Sequence, residues 1–231
     1  RRDGELPAAI RVDAEADLTA TEAYRRGAIE IQDAGSQAVL EAVPPEPGGR
    51  WLDACAGAGG KSLQLAILLG TRGRVDVHDV RAAALAELEG RAARAGLSDR
   101  VRRTDRPEAS AYDGVLVDAP CSGSGTWRRA PHLKWVTTPG RIAERARLQA
   151  ELLARFSTRV RPGGRLLYAT CSLAPRENEE TARRFLEAHP GFGPEAPARS
   201  LGGRAACPGL LIPPAARDGD GFFVASFRRR R

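Results

Sequence analysis

The sequence predicts an α/β fold with a mostly parallel, doubly wound sheet and helices on both of its faces. Three observations lead to this prediction. Short apolar segments alternate with longer amphipathic ones, a glycine-rich stretch follows the first apolar segment of that regular pattern, and acidic residues stand where the predicted strands end. Strands that alternate with helices are typical of βαβ units, in which the crossover helices cover both faces of a parallel sheet.

The first half of the chain supplies most of this alternation. A turn-forming cluster, "PPEPGG" at residues 44–49, precedes the regular pattern. The strands predicted after it are residues 50–54, 73–80, 100–105 and 112–120, and the predicted helices are residues 60–70 and 81–97. The helix over 81–97 is amphipathic, rich in Ala and Leu, and closed by a glycine. The strand over 100–105 carries the weakest pattern of the four.

The second half continues the pattern with a long helix over residues 138–160, which the sequence "RPGG" ends. A strand follows over 164–172, a helix over 176–190, and a final strand over 220–230. Residues 193–209 read as a long loop. Glu177, Asn178 and Glu179 begin the helix over 176–190, where acidic residues suit the positive end of the helix dipole. A structural role and a functional role for them both stay open.

The net charge of +7 is compatible with a nucleic-acid partner, and it is equally compatible with ordinary solubility charge. Among the 36 basic residues only Lys61 and Lys134 are lysines. In so arginine-rich a chain, a lysine is expected where a compact ammonium on a flexible stem is needed.

No apolar run is long enough to span a membrane, and the first ten residues lack the apolar core of a signal peptide. We therefore expect a cytoplasmic protein without a membrane partner, and we expect it to be a monomer. The chain starts with Arg and contains no methionine, so we expect it to be part of a longer protein.

The cysteines are Cys55, Cys121, Cys171 and Cys207, and they form no CxxC pair and have no histidine at zinc-ligand spacing. We therefore expect no metal site. Disulfides are not expected in a cytoplasmic chain of this size. Taken alone, each cysteine is most simply explained as a small buried residue. The role of Cys207, which lies in the predicted loop, stays open.

The stretch "DACAGAGGKS" at residues 53–62 follows a predicted strand and precedes a helix. Its glycines let the backbone approach a ligand closely, and the helix start offers amide donors to an anion. Asp79 ends the next strand, where a carboxylate commonly accepts hydrogen bonds from the ribose hydroxyls of an adenosine. The two features together predict an adenosine-containing cofactor, although a glycine-rich turn without a ligand remains the alternative.

Ligands of open α/β sheets bind beyond the carboxyl ends of the strands. The acids Asp53, Asp79 and Asp118 lie at or near such ends, as does Cys171, and Cys121 lies just past one. The sequence therefore predicts one edge of the sheet on which acids, thiols and the glycine-rich stretch meet.

Five segments in this order resemble one known family. They are "EIQDAGSQ" at residues 30–37, "DACAGAGGK" at 53–61, "VDAPCSGSGTWRRAPHLKW" at 117–135, "YATCSLAPRENEE" at 168–180 and "DGFFVASF" at 220–227. Over about residues 20–231 the sequence resembles the RsmB/Nop2/Sun family of S-adenosylmethionine-dependent RNA 5-methylcytosine methyltransferases. Cofactor loops of this family often carry a proline where Ala58 stands here. We expect that difference to change the stiffness of the loop and not its ligand.

The resemblance implies a Rossmann-like class I methyltransferase fold with an antiparallel C-terminal strand. Residues 37–231 would form the catalytic domain, and residues 1–36 an N-terminal extension. The implied cofactor is S-adenosylmethionine. Its predicted contacts are Asp53, Cys55, Ala56, Gly57, Ala58, Gly59, Gly60, Lys61, Asp79, Arg81, Asp105 and Asp118. Of these, Cys55 is also explained by packing, and Lys61 lies either at the methionine carboxylate or near the base.

The resemblance also implies the chemistry. Carbon 5 of cytosine becomes nucleophilic once a thiolate adds to carbon 6, and thiolates are strong nucleophiles. Cys171 corresponds to the nucleophile of the family, and Cys121 to the cysteine that helps to resolve the covalent adduct. Asp118 would hydrogen-bond the edge of the cytosine ring and favour charge at nitrogen 3. Lys134 would line the active site, and the predicted RNA contacts are Arg128 and Arg129.

The substrate implied is RNA, most simply ribosomal RNA. The presence of both cysteines favours RNA over DNA, because DNA cytosine methyltransferases use the cysteine that corresponds to Cys121 as their nucleophile. A methyltransferase of transfer RNA or of DNA cytosine remains an alternative. A second class of alternative is a non-catalytic RNA-binding or ribosome-assembly module of the same fold.

Overall fold

The structure, a computed structural model, describes residues 4–12 and 17–231. Within this part of the chain the sheet has nine strands: β1 (Arg50–Asp53), β2 (Arg74–Val77), β3 (Val101–Arg103), β4 (Tyr112–Asp118), β5 (Val160–Thr170), β6 (Phe192–Glu195), β7 (Arg204–Ala206), β8 (Gly209–Ile212) and β9 (Phe222–Arg229). The α-helices of the same part are α1 (Glu22–Arg25), α2 (Ala34–Ala42), α3 (Gly60–Leu68), α4 (Ala82–Arg94), α5 (Leu133–Val136), α6 (Pro139–Ser157), α7 (Glu179–Ala188) and α8 (Pro214–Arg217).

The strand order β3-β2-β1-β4-β5-β9-β8-β7 confirms the predicted doubly wound sheet. Strands β1 to β5 pair in parallel, and β9 runs antiparallel to β5. The far edge of β9 is shared by two strands, since β8 pairs with its first half and β6 with its second half. The order reverses between β1 and β4, so the carboxyl ends of these two strands border the crevice in which such folds bind ligands.

Each face of the sheet carries its own apolar layer. One layer joins Leu65 of α3 and Leu88 of α4 to Leu116 of β4. The other joins Phe156 of α6 to Tyr168 of β5. Because both faces are covered, the central strands are apolar on both sides, which explains why β4 reads as a nearly continuous apolar run. No helix among the described residues has the length and apolar character needed to cross a membrane.

The structure departs from the predicted secondary structure in the loop over residues 193–209, at α2 and at the end of α6. The predicted loop over residues 193–209 contains strand β7 and most of β6, and β8 begins at its end. These strands are short and rich in glycine, alanine and proline, residues with little intrinsic preference for a strand. Pairing of β6 with β9 and of β7 with β8 holds them in place. Helix α2 was not predicted. The long helix α6 ends at Ser157, and β5 already begins at Val160, so the "RPGG" sequence forms an irregularity within β5.

Gly114 of β4 faces the ring of Trp51 on β1, and a Cβ atom at this glycine would lie 2.4 Å from ring carbons. We expect Gly114→Ala to destabilise the protein by about 1–3 kcal/mol, because a packed ring has to move. Gly90→Ala in α4 is the matched control: nothing lies within 4 Å of its Cβ position, and alanine favours a helix by about 0.5–1 kcal/mol. Urea unfolding measures both variants, and effects of the same sign would contradict this packing.

Asp53, at the end of β1, is 1% exposed. Its carboxyl group accepts hydrogen bonds from Ser62 Oγ at 2.7 Å and from the Cys55 amide at 3.4 Å. Burial raises the pKa of Asp53 to about 7, although the bond from Ser62 opposes this rise. The folded state therefore favours the protonated acid, so the contribution of Asp53 to stability is complete below its unfolded-state pKa and is lost as the pH rises through 7.

We expect the free energy of unfolding of the wild type to fall relative to Asp53→Asn by about 1.4 kcal/mol per pH unit between pH 5 and 6.5, because only the wild type must hold a proton on folding. Urea unfolding across this range measures the difference. Asp99→Asn, at an exposed position, serves as the control and should run parallel to the wild type. A constant difference between the wild type and Asp53→Asn would show that Asp53 does not titrate in this way.

Candidate active site

The ends of β4 and β5 bring the two predicted cysteines together. The two strands are parallel, with Asp118 opposite Ala169. Cys121 and Cys171 therefore leave the sheet on neighbouring strands at the same edge. Their Sγ atoms lie 3.3 Å apart, which is hydrogen-bond distance for two sulfurs. Both side chains are only partly exposed.

The two thiols differ in their pKa. The pKa of Cys171 is lowered, first by the hydrogen bond from the Cys121 thiol and further by the positive charge of Lys61, against the effect of burial. The pKa of Cys121 is raised well above its usual value by the same contact, by burial and by the negative charge of Glu177. Both directions favour Cys171 over Cys121 as the sulfur that gives up its proton first.

A lysine and a carboxylate lie beside the cysteines. Lys61 Nζ donates to Asp118 Oδ2 at 2.9 Å and to Ser36 Oγ at 3.1 Å, and it lies 4.5 Å from the centre of the Phe222 ring. The lysine side chain is 8% exposed, whereas that of Asp118 is 28% exposed. The structure therefore brings Lys61 close enough to the thiol pair for its charge to lower the pKa of Cys171.

A buried carboxylate behind the cysteines was not recognised from the sequence as part of the site. Glu177 lies in a 3-10 turn before α7 and is fully buried. It accepts hydrogen bonds from Ser122 and Ser172, the residues that follow the two cysteines. It therefore does not act as a helix-terminal acid, and Glu179 begins α7 instead. The only signal for Glu177 in the sequence is that it follows the "TCS" segment, which ends at Ser172, within the same loop.

The glycine-rich loop between β1 and α3 has the shape that a closely approaching ligand needs. Gly57 and Gly59 adopt positive φ angles of 53° and 89°. A Cβ at Gly59 would lie 2.6 Å from Leu88 Cγ. Helix α3 starts at Gly60 without a side-chain cap, so its first amides remain as donors. The predicted contacts at residues 54–58 belong to this loop. Burial raises the pKa of the Cys55 thiol far above its usual value, so this cysteine is a packed neutral thiol.

Asp79 lies beyond β2 at the edge of the same loop. It accepts from the Gly57 amide at 2.8 Å and pairs with Arg81. Hydrogen bonds from Arg81 and Gly57 lower the pKa of Asp79 despite its burial, so an ionised acceptor is available for hydroxyl groups. The Arg81 side chain is 67% exposed and that of Asp79 only 6%, so a ligand would reach Asp79 by displacing Arg81. The glycine loop and Asp79 fit an adenosine-containing cofactor.

Other predicted site residues lie farther from the thiols or are already paired. Asp53 lies beneath the loop, bonded to Ser62, and offers a cofactor little access. Asp105 is 76% exposed and pairs with Arg103. Arg128 lies 4.0 Å from Asp218, and Arg129 donates to the buried Asp220 at 2.6 Å. No three metal-ligating side chains of the described residues are arranged to hold a metal ion.

Lys134 lies on the short helix α5 and is exposed. The adjacent Trp135, which the sequence did not single out, is 83% exposed. Helix α5 is anchored close to the thiols, because Leu133 packs over Gly123, two residues after Cys121. Residues 119–143 contain no aspartate or glutamate. The surface near the cysteine pair therefore combines an exposed aromatic ring with the exposed Lys134.

Comparison with known proteins places the chain in a family. The family "16S rRNA methyltransferase RsmB/F" matches residues 40–228. The ribosomal RNA small subunit methyltransferase B of Klebsiella pneumoniae subsp. pneumoniae is 35% identical over 98% of this chain and 53% of its own length. That of Cronobacter sakazakii is 34% identical over 97% of this chain and 52% of its own length. The chain thus spans about half the length of these curated relatives.

Solved structures share the fold. The crystal structure of PH0851 has a TM-score of 0.92 at 31% identity, covering 99% of this chain and 53% of that one. A methyltransferase homolog protein from Pyrococcus horikoshii has a TM-score of 0.78 at 28% identity, covering 94% and 73%. NSun6 from Pyrococcus horikoshii, solved with SFG, has a TM-score of 0.81 at 24% identity, covering 94% and 57%, a likeness of fold alone. With the family matched over most of its sequence, the chain belongs to the 16S rRNA methyltransferase RsmB/F family.

Proposed function

We propose that the protein transfers a methyl group from S-adenosylmethionine to carbon 5 of a cytosine in RNA, through a covalent bond between Cys171 and the base. The observation that carries this proposal is the contact between the Cys121 and Cys171 sulfurs at 3.3 Å, beside the Lys61–Asp118 pair. The names of the curated relatives support ribosomal RNA as the substrate.

The first step is addition of the Cys171 thiolate to carbon 6 of the cytosine. The carbon–sulfur bond forms as the electrons of the C5–C6 double bond move into the ring and make carbon 5 nucleophilic. The lowered pKa of Cys171 supplies the thiolate. The ring needs positive charge as its electron density grows, and the Lys61 ammonium lies beside the thiols to provide it.

Asp118 suits recognition of the cytosine. An ionised carboxylate accepts hydrogen bonds but does not donate them, so its complement on cytosine is the exocyclic amine. Its Oδ2 atom is held by Lys61, and 28% of the side chain stays exposed. Asp118 and Lys61 thus form one unit that binds the amine and places positive charge at the neighbouring ring edge.

The residues that would hold S-adenosylmethionine are those of the glycine loop and Asp79, with Asp79 accepting from the ribose hydroxyls. When bound, this cofactor supplies an electrophilic methyl group. NSun6, a structural neighbour, was solved with SFG, and other neighbours of this fold with sinefungin or S-adenosylhomocysteine. These neighbours support a cofactor of this class.

Release of the product follows methylation. The proton on carbon 5 leaves to water, its electron pair restores the C5–C6 double bond, and the Cys171 thiolate is expelled. Cys121 lies within hydrogen-bond distance of that sulfur, and its thiol stabilises the returning thiolate. Without this donor the leaving group is worse, so the covalent adduct persists.

Cys171→Ala is expected to abolish methyl transfer and adduct formation, whereas Cys121→Ala is expected to form an RNA–protein adduct that survives denaturing electrophoresis. The measurement is transfer of labelled methyl groups to ribosomal RNA, followed by gel analysis. Cys207→Ala, at an exposed position away from the pair, is the control and should behave as the wild type.

Turnover by Cys171→Ala at the wild-type rate would overturn the assignment of the nucleophile. Transfer to duplex DNA, or to transfer RNA in preference to ribosomal RNA, would favour the alternative substrates. Calorimetry that detects no binding of S-adenosylmethionine would favour a non-catalytic RNA-binding or assembly module, and the intact cysteine pair would then have no chemical role.

The exposed ring of Trp135 is suited to stack on a base next to the target, since an unpaired base and an aromatic side chain gain about 1–3 kcal/mol by stacking. We expect Trp135→Ala to weaken RNA binding by about 5- to 150-fold, the equivalent of that energy, and Trp135→Phe to retain most of the affinity. Fluorescence anisotropy with a labelled RNA measures this. Ile67→Ala removes an exposed side chain elsewhere and should change nothing, and an equal loss in both variants would contradict a specific stacking contact.

A further inference from the structure

The two loops that carry the cysteines are joined by one buried carboxylate. Glu177 Oε1 accepts from the Ser122 amide at 2.8 Å and from Gln149 Nε2 at 3.1 Å. Glu177 Oε2 accepts from Ser122 Oγ at 2.5 Å and from Ser172 Oγ at 2.6 Å. Ser122 follows Cys121 and Ser172 follows Cys171, so a single side chain fixes the spacing of both loops.

The hydrogen bonds at the Glu177 carboxyl group all come from neutral side chains and the backbone. Its Oε1 contacts an amide N–H and an amide NH₂, which only donate, and its Oε2 contacts two hydroxyls. Within the part of the chain that the structure describes, no recorded ion pair includes Glu177. The carboxyl group therefore has no cationic partner in this part of the chain, and its charge contributes to the raised pKa of Cys121.

The charges around the two sulfurs are unevenly distributed. On the Cys171 side lie Lys61 of α3, Asp118 of β4 and Asp220 before β9. On the Cys121 side lies Glu177, with the Tyr168 hydroxyl of β5 close by. The lysine lowers the pKa of Cys171 against the two carboxylates, which raise it, and the glutamate raises the pKa of Cys121. The two influences act in the same direction.

We propose that Glu177 is a positioning residue that assigns different roles to the two cysteines: it holds their loops so that the sulfurs meet, and its negative charge keeps Cys121 as the proton-bearing partner. Cys121 then donates to Cys171 and does not compete with it for carbon 6. The catalytic meaning of this assignment rests on the proposed function, whereas the assignment itself concerns only the thiols of the free protein.

The test compares Glu177→Gln with Glu177→Asp. The first removes the charge at nearly the same shape, and the second keeps the charge on a shorter side chain. The readout is the rate at which iodoacetamide alkylates each cysteine, followed by mass spectrometry of the peptides as a function of pH. It requires neither RNA nor cofactor. Circular dichroism confirms that each variant is folded.

In the wild type, Cys171 is expected to react at lower pH than Cys121. In Glu177→Gln the ratio of the Cys171 rate to the Cys121 rate at pH 7 is expected to fall by about tenfold, which corresponds to one pKa unit. In Glu177→Asp the order of reactivity is expected to stay as in the wild type. A folded Glu177→Gln protein with an unchanged ratio would overturn the proposal and leave Glu177 a purely structural residue.

The wild type provides a check that does not depend on the folding of a variant. Cys207 is exposed and serves as an internal reference in the same experiment. The half-maximal alkylation rate of Cys121 is expected at higher pH than that of Cys207, and an equal or lower midpoint would also overturn the proposal. If the wild type transferred no methyl group to RNA, the proposed function would fail, yet the alkylation order would still decide the role of Glu177.

Discussion

The parallel pairing of β4 with β5 is the constraint on which the site depends. Because Asp118 lies opposite Ala169, the chain leaves both strands at the same height, and the two cysteines that follow meet at 3.3 Å. A shift of the register by one residue would turn every side chain to the other face of the sheet. The buried apolar faces of the two strands prevent such a shift, so packing in the core sets the distance between the sulfurs.

Two thiols in contact are chemically equivalent until their surroundings distinguish them. Here the hydrogen bond between the two sulfurs contributes most to the difference, and the charges of Lys61 near Cys171 and of Glu177 near Cys121 add to it. Two unit charges about 4 Å apart interact by roughly 4 kcal/mol at an effective dielectric constant of 20, so modest differences in placement suffice to select which sulfur holds the proton. Lys61 is itself held by Asp118 and Ser36, which means that the asymmetry is built into fixed side chains and not into mobile surface charge.

The sequence alone predicted the features that local patterns encode. The alternation of strands and helices, the glycine loop and the acids at strand ends were all visible, and the family resemblance followed from five ordered segments. The sequence did not reveal contacts between distant segments. The role of Glu177 stays open in the sequence, because nothing near it shows that Ser122 is its partner. Strands β6, β7 and β8 were missed for the same reason, since their stability comes from pairing with one another and with β9 and not from their own composition.

The segment before α2 illustrates how far the site extends. Ser36 accepts from Lys61, and the Asp33 carboxylate accepts from the Asp220 amide. Glu30 holds Arg91, which in turn donates to the carbonyl of Ala58 in the glycine loop at 2.7 Å. The predicted boundary after residue 36 therefore crosses contacts that lead to the lysine and to the loop.

These contacts link three chemical tasks to one short stretch of chain. Arg91 donates to the glycine loop, and Ser36 accepts from Lys61 near the thiols. Asp33 accepts from the amide of Asp220, which lies just before β9. Asp220 in turn holds Arg129 at 2.6 Å, next to the acid-free surface that carries Trp135. Because the same few residues touch the cofactor side, the thiol side and the charged surface, a displacement of this segment would disturb all three together. Residues 30–36 therefore support the glycine loop, the lysine and the charged surface together.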